Sequence, residues 1–390
     1  MFVSRIAYTD WRNIASASVS LERGVNVLWG ANAQGKSNIL EGLYYFARGR
    51  SFRGAREREL VRFGADFARA VLAFRKDGYE NDTELEAVIP LSGKKRLLRG
   101  GAPLSSASEM IGSFRAVLFC PANLSLVSGG PAERRMFLDI ALSQLSPAYL
   151  RELRAYTRLL SERNALLRRA ADGQRVEPTE WAVYDEAMSR AGAVIAAYRN
   201  DYVLLLREAS ERYFAGMTGG AEVPGLIYAS HCYDERLPRP LSVPGSWEEP
   251  DPAPLYDRLV RNREREIAAG STLWGIHRDD VSLTLNGADA KIYASQGQQR
   301  SLVLSLKLGE AEIAAQVGRE APVILLDDVF SELDESRRRY LLDSLGLSGE
   351  SGKPEQMRQI IITSCEPDVI PGSQAAHVHF RRVEGGTVTE

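Results

Sequence analysis

The sequence predicts an α/β protein in which one domain is interrupted by a long helical insertion. Three observations support this prediction: a glycine-rich turn between a short apolar strand and a helix near residue 30, an apolar strand ending in two aspartates near residue 327, and a mostly helical pattern between them. The split domain comprises residues 1–125 and 270–390, and the insertion comprises residues 126–269.

The first part of the split domain is predicted to form strands. Residues 2–6 and 15–21 alternate between apolar and polar side chains, and residues 25–29 form a short buried run before the glycine-rich turn. After the following helix, alternating segments between residues 67 and 98 are separated by turn sequences, and they predict an antiparallel sheet. Residues 117–120 predict a further core strand.

The insertion has a helical pattern. Pro131 suits the first turn of a helix, and two apolar stripes with spacings of three and four follow over residues 153–205. Two such helices joined around residues 171–179 predict an antiparallel hairpin or a short coiled coil. A proline-rich linker, residues 238–254, precedes a last helix near residues 255–268, after which the α/β pattern returns.

Composition and charge narrow the class of protein. Of the 390 residues, 44% are hydrophobic and 26% are charged, which is typical of globular proteins and excludes wholesale disorder. The net charge of −2 excludes a uniformly basic protein that coats nucleic acid, but it permits a local basic groove. No segment approaches the ~20 apolar residues of a membrane-spanning helix, and three widely spaced cysteines do not suggest a disulfide framework. We therefore expect a cytoplasmic protein without a membrane segment.

The glycine-rich turn matches the phosphate-loop pattern, in which the second glycine is followed by lysine and a hydroxyl residue. Its context fits, because backbone amides at a helix N-terminus cradle phosphate groups. Only seven of the 49 basic residues are lysines, so a lysine here is informative. We expect Lys36 to reach the β- and γ-phosphates of ATP and Ser37 to be a ligand of Mg²⁺. The predicted nucleotide-binding residues of this loop are Gly30, Ala31, Asn32, Ala33, Gln34, Gly35, Lys36 and Ser37.

A second half of the nucleotide site follows the apolar run at residues 322–326. Acidic residues at the carboxyl end of a buried parallel strand lie where such sheets bind ligands. We expect Asp327 to hold Mg²⁺, directly or through water, and Asp328 to polarise the attacking water. Lys36 and Asp328 are therefore the predicted catalytic residues, and residues 331–334 are placed to cap the next helix.

A third motif opens another predicted helix and consists of Ser295, Gln296, Gly297 and Gln298. Free backbone amides at such a start bind anions, although an ordinary N-cap with a flexible glycine explains the same residues. The motif lies 32 residues before Asp327, which is the layout of ABC-type ATPases, where a signature loop closes over the γ-phosphate held by a second subunit. One chain carries one copy of each half-motif, so the sequence predicts a head-to-tail homodimer that forms with ATP.

Eight short motifs are spread over nearly the whole chain. They begin at Asp10, Gly30, Arg50, Arg134, Arg163, Gly275, Ser295 and Leu326, and they read DWRN, GANAQGKSNILEG, RSFR, RRMFLD, RNALL, GIHRDD, SQGQQR and LDDVFSELD. Together they resemble the RecF family of bacterial recombination and repair proteins, relatives of the SMC-type ATPases. The resemblance implies an ABC-type ATPase head that uses ATP and Mg²⁺ and binds duplex DNA and single-strand/duplex junctions. It also implies RecR and RecO as partners, with which it loads a recombinase at single-strand gaps.

The resemblance also assigns residues. It implies that Arg12, Asn13 and Asn38 contact the nucleotide, although Arg12 fits a surface cation equally well. The signature loop would act on the ATP of the partner chain. Thr363 or Ser364 occupies the place of the γ-phosphate-sensing histidine of transporter ATPases. The second aspartate of the pair stands where many relatives carry glutamate, which implies slow hydrolysis.

Three departures from the family pattern concern coupling more than ATP binding. Ala33 replaces a glycine that is usual inside the phosphate loop, and Ile276 stands where a proline is expected before His277. Residues 121–124 lack an acidic pair expected after the proline. None of these changes removes a group that ATP binding requires.

Two charged clusters allow more than one interpretation. Residues 277–280 suggest a catalytic cluster, but a salt-bridge network at a strand edge explains them better. Six arginines against two glutamates over residues 151–169 predict either a solvated helix face or a track for DNA phosphates.

The function that these observations favour is ATP-dependent DNA binding in recombinational repair, with two heads gripping duplex DNA until hydrolysis releases it. One alternative is the ATPase subunit of a membrane transporter, but the insertion is longer than a transporter's helical subdomain and the switch histidine is missing. A second alternative is a nucleotide-gated scaffold whose hydrolysis is incidental. In that case Lys36→Arg or Asp328→Asn would leave repair intact.

Overall fold

The structure is a computed structural model, and it divides into two compact units. The residues that it describes are 1–233, 237–242, 249–346, 358–367 and 377–389. Unit 1 comprises Met1–Asn123 with Lys307–Glu390, and unit 2 comprises Leu124–Leu306. One unit thus interrupts the other along the chain. The sequence places the return to the first unit at residue 270, whereas residues 270–306 belong to unit 2.

Strands dominate unit 1 and helices dominate unit 2. The strands are β1 (Phe2–Trp11), β2 (Ile14–Ser20), β3 (Val25–Trp29), β4 (Phe67–Arg75), β5 (Thr83–Pro90), β6 (Arg96–Arg99), β7 (Ala102–Pro103), β8 (Ala116–Phe119), β9 (Pro224–Ala229), β10 (Asp280–Leu285), β11 (Ala288–Asp289), β12 (Val323–Asp327), β13 (Ile360–Ser364), β14 (Val378–Glu384) and β15 (Thr387–Thr389). The α-helices are α1 (Lys36–Arg48), α2 (Ser125–Ser128), α3 (Pro131–Leu145), α4 (Pro147–Ala171), α5 (Pro178–Thr218), α6 (Ala253–Arg261), α7 (Arg263–Ala269), α8 (Ala290–Tyr293), α9 (Gln296–Gly318) and α10 (Glu335–Ser344).

A six-stranded sheet of unit 1 carries the predicted nucleotide edge. Its order is β15-β14-β3-β13-β12-β8, and all neighbours are parallel except β14 and β15. β3, β12 and β13 are almost entirely buried apolar runs, as expected for strands covered on both faces. The turns that follow these three strands therefore lie at one edge of the sheet. The core strand predicted at residues 117–120 is confirmed as β8.

The predicted antiparallel sheet is also confirmed, with the order β2-β1-β4-β5-β6-β7. Helix α1 packs on β1 and β4 of this sheet and on β12 and β13 of the parallel sheet, so it is buried nearly all round. A Cβ on Gly42 would lie 2.2 Å from the Tyr8 ring, whose hydroxyl donates to the Ile39 carbonyl oxygen at 2.6 Å. Close approach of helix and strand therefore requires glycine here.

The long helices of unit 2 form the predicted antiparallel pair. Arg163 of α4 pairs with Asp185 of α5, and the later Arg169 pairs with the earlier Glu180, so the two helices run in opposite directions. Helix α5 has 41 residues, or about 60 Å of helix. The apolar residues near this end of the pair are Leu166, Leu167 and Trp181, with Ala170, Val176, Tyr184 and Ile267 packed against them.

Strand pairing explains the unexpected boundary of unit 2. β10 pairs antiparallel with β9 along its whole length, and this ladder joins residues 280–285 to unit 2. The helix predicted near residues 255–268 is two helices, α6 and α7, which meet at Asn262. Residues 243–248 of the proline-rich linker lie outside the described residues. In the described ranges, no helix has both the length and the apolar character needed to cross a bilayer.

Candidate nucleotide-binding site

The phosphate loop joins β3 to α1 through a turn that needs left-handed backbone. Gly30 and Gly35 have φ angles of 155° and 109°, and Ala33 has a φ of 63°. A side chain in the left-handed region costs about 1–2 kcal/mol, which explains why the family pattern has glycine where this chain has alanine. A Cβ on Gly30 would lie 2.3 Å from the Val383 carbonyl oxygen, and one on Gly35 would lie 2.9 Å from Asn13 Oδ1. The limited space and the left-handed backbone conformation therefore both favour glycine at positions 30 and 35.

Lys36 lies within the loop. Its side chain is buried, and its Nζ donates to the carbonyl oxygens of Gly30 at 2.6 Å and Ala31 at 2.8 Å. Both partners are neutral, so the positive field of the ammonium remains available to an anion bound by the loop amides. Ser37 follows in the first turn of α1 and is partly exposed, so its hydroxyl is accessible.

Gln34 ties the loop to the C-terminal strands. Its Oε1 accepts a hydrogen bond from the Gly385 amide at 2.6 Å, and its carbonyl oxygen accepts one from the Gly386 amide at 2.9 Å. Both glycines lie in the turn between β14 and β15. Asn32 accepts a further hydrogen bond from the Cys365 thiol at 2.9 Å. The loop motif alone does not reveal these contacts, because Gly385 is 351 residues away from Gln34.

The two asparagines predicted to contact the nucleotide lie together, since Asn38 Nδ2 donates to Asn13 Oδ1 at 2.8 Å. Arg12 donates from Nε and Nη2 to the Glu41 carboxylate at 2.8 and 2.7 Å, and from Nη1 to the Glu59 carbonyl oxygen at 2.9 Å. Glu41 is fully buried in α1, so Arg12 neutralises an internal charge. The surface-cation interpretation of Arg12 is therefore wrong, and its contact with nucleotide stays a prediction. The sequence signal for this ion pair is a glutamate at position 41 between the apolar residues Leu40 and Leu43 of α1.

A buried threonine links the two aspartates at the end of β12. Thr363 of β13 stands directly beside Asp327 and, on its other side, beside Leu28 of β3, so Asp327 lies about 10 Å from β3 at the usual strand spacing. Thr363 Oγ1 donates to Asp327 Oδ1 at 2.9 Å and accepts from the Asp328 amide at 3.0 Å. Asp328 has a φ of 52°, and its side chain is exposed at the edge. Of the two predicted sensor positions, Thr363 is thus the one bonded to both aspartates.

The donor set at this edge suits Mg²⁺. The Asp327 carboxylate and the Ser37 hydroxyl are hard oxygen ligands, and Mg²⁺ is usually held by one or two carboxylates together with substrate phosphates and water. Within the described part of the chain, no group of three or more His, Cys, Asp or Glu side chains could hold a metal ion. A single carboxylate with a hydroxyl beside a phosphate loop fits a magnesium–nucleotide complex better than a resident metal.

The signature motif begins α9 with a reciprocal pair of hydrogen bonds. The Ser295 amide donates to Gln298 Oε1 at 2.6 Å, and the Gln298 amide donates to Ser295 Oγ at 3.3 Å, which is a capping box. The sequence pattern predicts an amphipathic helix over residues 302–315, and α9 starts six residues earlier, at Gln296. The N-cap interpretation describes this conformation, and contact of Gly297 with the ATP of a partner stays a prediction.

Residues 277–280 are used within unit 2. His277 Nε2 lies 3.1 Å from the Thr272 carbonyl oxygen and therefore donates to it, so Nδ1 accepts from the Tyr156 hydroxyl at 2.9 Å. Burial lowers the pKa of His277 to about 4, which keeps the ring neutral at pH 7. Asp280 begins β10, and its carboxylate accepts hydrogen bonds from Nε and Nη2 of Arg134 at 2.8 and 2.9 Å. The predicted salt bridge is thus confirmed for Asp280, whereas His277 and Asp279 bond to neutral groups, Asp279 accepting from the Tyr228 hydroxyl at 2.5 Å.

The arginine-rich stretch of α4 is not one uniform face. Arg163 is fully buried between Asp185 and Glu266, at 2.8 and 2.7 Å, so it belongs to the core of unit 2. For the exposed members the solvated face and the phosphate track remain open. These are Arg151, Arg154, Arg158, Arg168 and Arg169.

The phosphate loop, the aspartate pair and the parallel sheet beside an antiparallel one together define an ABC-type ATPase head of the SMC-like kind. The head domain of Pyrococcus furiosus Smc, with an extended coiled coil and bound to a domain of ScpA, superposes over 100% of this chain and 95% of that chain, with a TM-score of 0.55. At 14% sequence identity, that similarity concerns the fold.

Comparisons of sequence and structure narrow the class further. The model for the RecF/RecN/SMC N terminal domain matches residues 2–387. The DNA replication and repair protein RecF of Roseiflexus castenholzii is 36% identical over 99% of both chains, and that of Ruminiclostridium cellulolyticum is 32% identical over 100% of this chain and 99% of its own. The structure of the recombination mediator protein RecF with ATP superposes with a TM-score of 0.87 and 30% identity, over 100% of this chain and 97% of that chain. This chain belongs to the RecF family of DNA replication and repair proteins.

Proposed function

We propose that this chain is an ATP-dependent DNA-binding protein that acts as a homodimer in recombinational repair. The observation that carries the proposal is the row Leu28–Thr363–Asp327 across adjacent parallel strands, which aligns the phosphate loop after β3 with the two aspartates at the end of β12. A phosphate loop and acidic strand end on one edge form the two halves of a nucleotide site.

Each residue at this edge has a distinct role in the proposal. Lys36 and the loop amides hold the phosphates, while Asn13 and Asn38 approach the nucleotide from the side. Ser37 and Asp327 hold Mg²⁺, which offsets the negative charge of the phosphates. Asp328 accepts a proton from the attacking water, and its short side chain reaches that water less well than glutamate would, so turnover is slow.

The proposal also includes a second copy of the chain and two partner proteins. Ser295, Gln296, Gly297 and Gln298 complete the site of a second chain, so ATP bridges two heads that grip duplex DNA beside a single-strand gap. Hydrolysis then releases the DNA. A related solved structure is described as a recombination mediator in the RecFOR pathway, which supports RecR and RecO as partners in recombinase loading.

The test measures molar mass by light scattering and DNA affinity by fluorescence anisotropy, each with and without ATP and Mg²⁺. We expect a monomer that binds DNA weakly without ATP and a dimer that binds tightly with it. Asp328→Asn should prolong the dimer, whereas Glu335→Gln, an exposed residue of α10, should behave like the unchanged protein. A DNA complex that is monomeric and independent of ATP would overturn the proposal.

A further inference from the structure

An exposed apolar patch lies at one end of the antiparallel sheet of unit 1. Its most prominent member, Phe63, has a relative accessibility of 102%, the highest among the exposed large apolar side chains of the described residues. Phe67 at the start of β4 and Leu91 just after β5 are also exposed, at 41% and 52%. They lie near each other because Phe67 is paired with Pro90 in the sheet. Three exposed apolar side chains at one sheet end are more than a single scattered residue, and they suggest a contact surface.

The turn that carries Phe63 is rigid. The Ala65 amide donates to the Arg62 carbonyl oxygen at 3.0 Å, and Gly64 has a φ of 85°, which defines a type II turn with Phe63 as its second residue. The Arg62 amide is bonded to the carbonyl oxygen of Asp10 at 2.8 Å, so the turn is also fixed to the end of β1. The ring is therefore presented to solvent by a preorganised backbone.

The same segment is strongly basic. Residues 50–69 contain six arginines against three acidic residues, and all six arginines are exposed. They are Arg50, Arg53, Arg56, Arg58, Arg62 and Arg69, of which Arg62 pairs with Asp10 at 3.4 Å and Arg69 with Glu86 at 2.7 Å. An exposed aromatic ring among arginines is the combination with which proteins hold an open nucleic-acid strand, since the ring stacks on a base and the guanidinium groups contact phosphates.

This basic segment is joined to the phosphate-loop helix. The Arg12 amide donates to the Leu60 carbonyl oxygen at 2.8 Å, and the Arg12 guanidinium holds Glu41 of α1 at 2.7 Å. The segment and the nucleotide site are therefore parts of one packed structure within unit 1.

We infer that Phe63 stacks on the exposed base at a single-strand/duplex junction while the surrounding arginines contact the adjacent phosphates. The inference rests on the proposed function and adds the side chain that would recognise the junction. Inside a continuous duplex both faces of each base are covered by neighbouring bases, so a ring at the surface finds an open face only where stacking ends. Arginine–phosphate contacts alone do not distinguish a junction from a continuous duplex.

The test compares a gapped duplex with 2-aminopurine at the junction and a continuous duplex of equal length, both with ATP and Mg²⁺. We expect Phe63→Ala to weaken binding to the gapped DNA by about tenfold, to abolish the quenching of 2-aminopurine, and to change binding to the continuous duplex little. Phe63→Trp should preserve all three. Tyr79→Ala is the matched control, because Tyr79 is 70% exposed at another turn of unit 1. Its binding to both DNAs should be unchanged.

Other outcomes would overturn the inference. Equal affinities of Phe63→Ala and the unchanged protein for gapped DNA would assign the patch to another partner, such as a protein. An equal loss on both DNAs would make Phe63 a general contact without junction preference. If the unchanged protein bound no DNA in any nucleotide state, the proposed function itself would fail, and the inference with it.

Discussion

Lys36 and Asp327 at the nucleotide edge of unit 1 bond to neutral groups, whereas charged residues in the core of unit 2 bond to groups of opposite charge. At the edge, Lys36 donates to two backbone carbonyls, and Asp327 accepts from a threonine hydroxyl. In unit 2, Asp185 and Glu266 are fully buried, and each pairs with the fully buried Arg163. A charge bonded to neutral groups keeps its field for a ligand, whereas buried opposite charges cancel and fix the position of the elements that carry them.

Residue type alone therefore does not distinguish a ligand site from a structural network. The burial of a charged side chain and the charge of the group to which it bonds distinguish them better. The arginines of α4 and the cluster at residues 277–280 carry the residue types of functional sites. Yet Arg163 pairs with the buried Asp185, and His277 forms hydrogen bonds with Tyr156 and Thr272 inside unit 2. We therefore expect substitutions in the core of unit 2 to lower the free energy of unfolding. Substitutions at the nucleotide edge should instead change the binding or hydrolysis of ATP.

The largest expected effect comes from breaking the buried ion network. Arg163→Ala removes a positive charge that pairs with the buried carboxylates of Asp185 and Glu266. We therefore expect the free energy of unfolding of unit 2 to fall by about 3–5 kcal/mol. Arg169→Ala on the same helix removes a half-exposed pair and should cost less than about 1 kcal/mol. Urea unfolding followed by circular dichroism measures both, and equal losses would show that burial does not distinguish the two arginines.

The pH dependence of stability gives the second effect. An unfolded histidine titrates near pH 6.5, whereas burial lowers the pKa of folded His277 to about 4. Above pH 6.5 both states are neutral and the contribution of His277 is complete. Between about pH 6.5 and pH 4 the unfolded chain takes up the proton first, so stability should decline by about 2–3 kcal/mol. The difference between the unchanged protein and His277→Gln, measured by urea unfolding over this range, isolates this contribution. A constant difference would contradict it.

At the nucleotide edge, Lys36→Ala should act on ATP and leave the fold intact. Loss of a charge-assisted contact to the phosphates should weaken ATP binding roughly 10- to 100-fold. The melting temperature without ATP should remain nearly unchanged, since Lys36 bonds only to carbonyls of its own loop among the contacts described. Calorimetric titration with ATP and thermal melting test this, with the exposed Lys94→Ala as control. A large drop in melting temperature with normal ATP affinity would reverse the assignment of the two regions.

The smallest expected effect concerns Thr363. Thr363→Val keeps the shape but removes the hydroxyl that bonds to Asp327 and to the Asp328 amide, so the turnover number for ATP hydrolysis should fall about tenfold with little change in KM. Thr363→Ser restores the hydroxyl and should recover most of the rate. Steady-state hydrolysis assays measure both variants. If serine were as slow as valine, the hydroxyl would not be what positions the aspartates.

Sequence patterns predicted those elements that are determined by residues close together in the chain. The phosphate loop, the apolar strand before Asp327 and the antiparallel helix pair follow from spacing and residue type, and the structure contains all three. Asp334 also caps α10 as predicted, since its side chain accepts from the Arg337 amide at 2.9 Å. The roles of the site residues in ATP binding stay predictions.

Pairing between distant segments could not be predicted in the same way. An apolar period shows that β10 is a strand but does not say which strand it joins, so its place beside β9 in unit 2 was missed. The sequence left Thr363 and Ser364 as equals, and only the register of β13 against β12 selects Thr363. The exposure of Phe63 likewise depends on how the surrounding chain packs, which the local pattern does not reveal.

The position of β3 between β13 and β14 has a consequence for synthesis of the chain. β3 is translated among the first 30 residues, whereas its two neighbours begin at Ile360 and Val378. At 5–20 residues per second, β3 is made on the order of half a minute before either neighbour exists, while all of unit 2 is made in the interval. Gly385, which donates to Gln34, is translated 351 residues after it. A chain that stops before Gly385 and Gly386 therefore contains the phosphate loop but lacks the hydrogen bonds that hold Gln34, so we expect the loop to reach its final conformation only after residues 385 and 386 have left the ribosome.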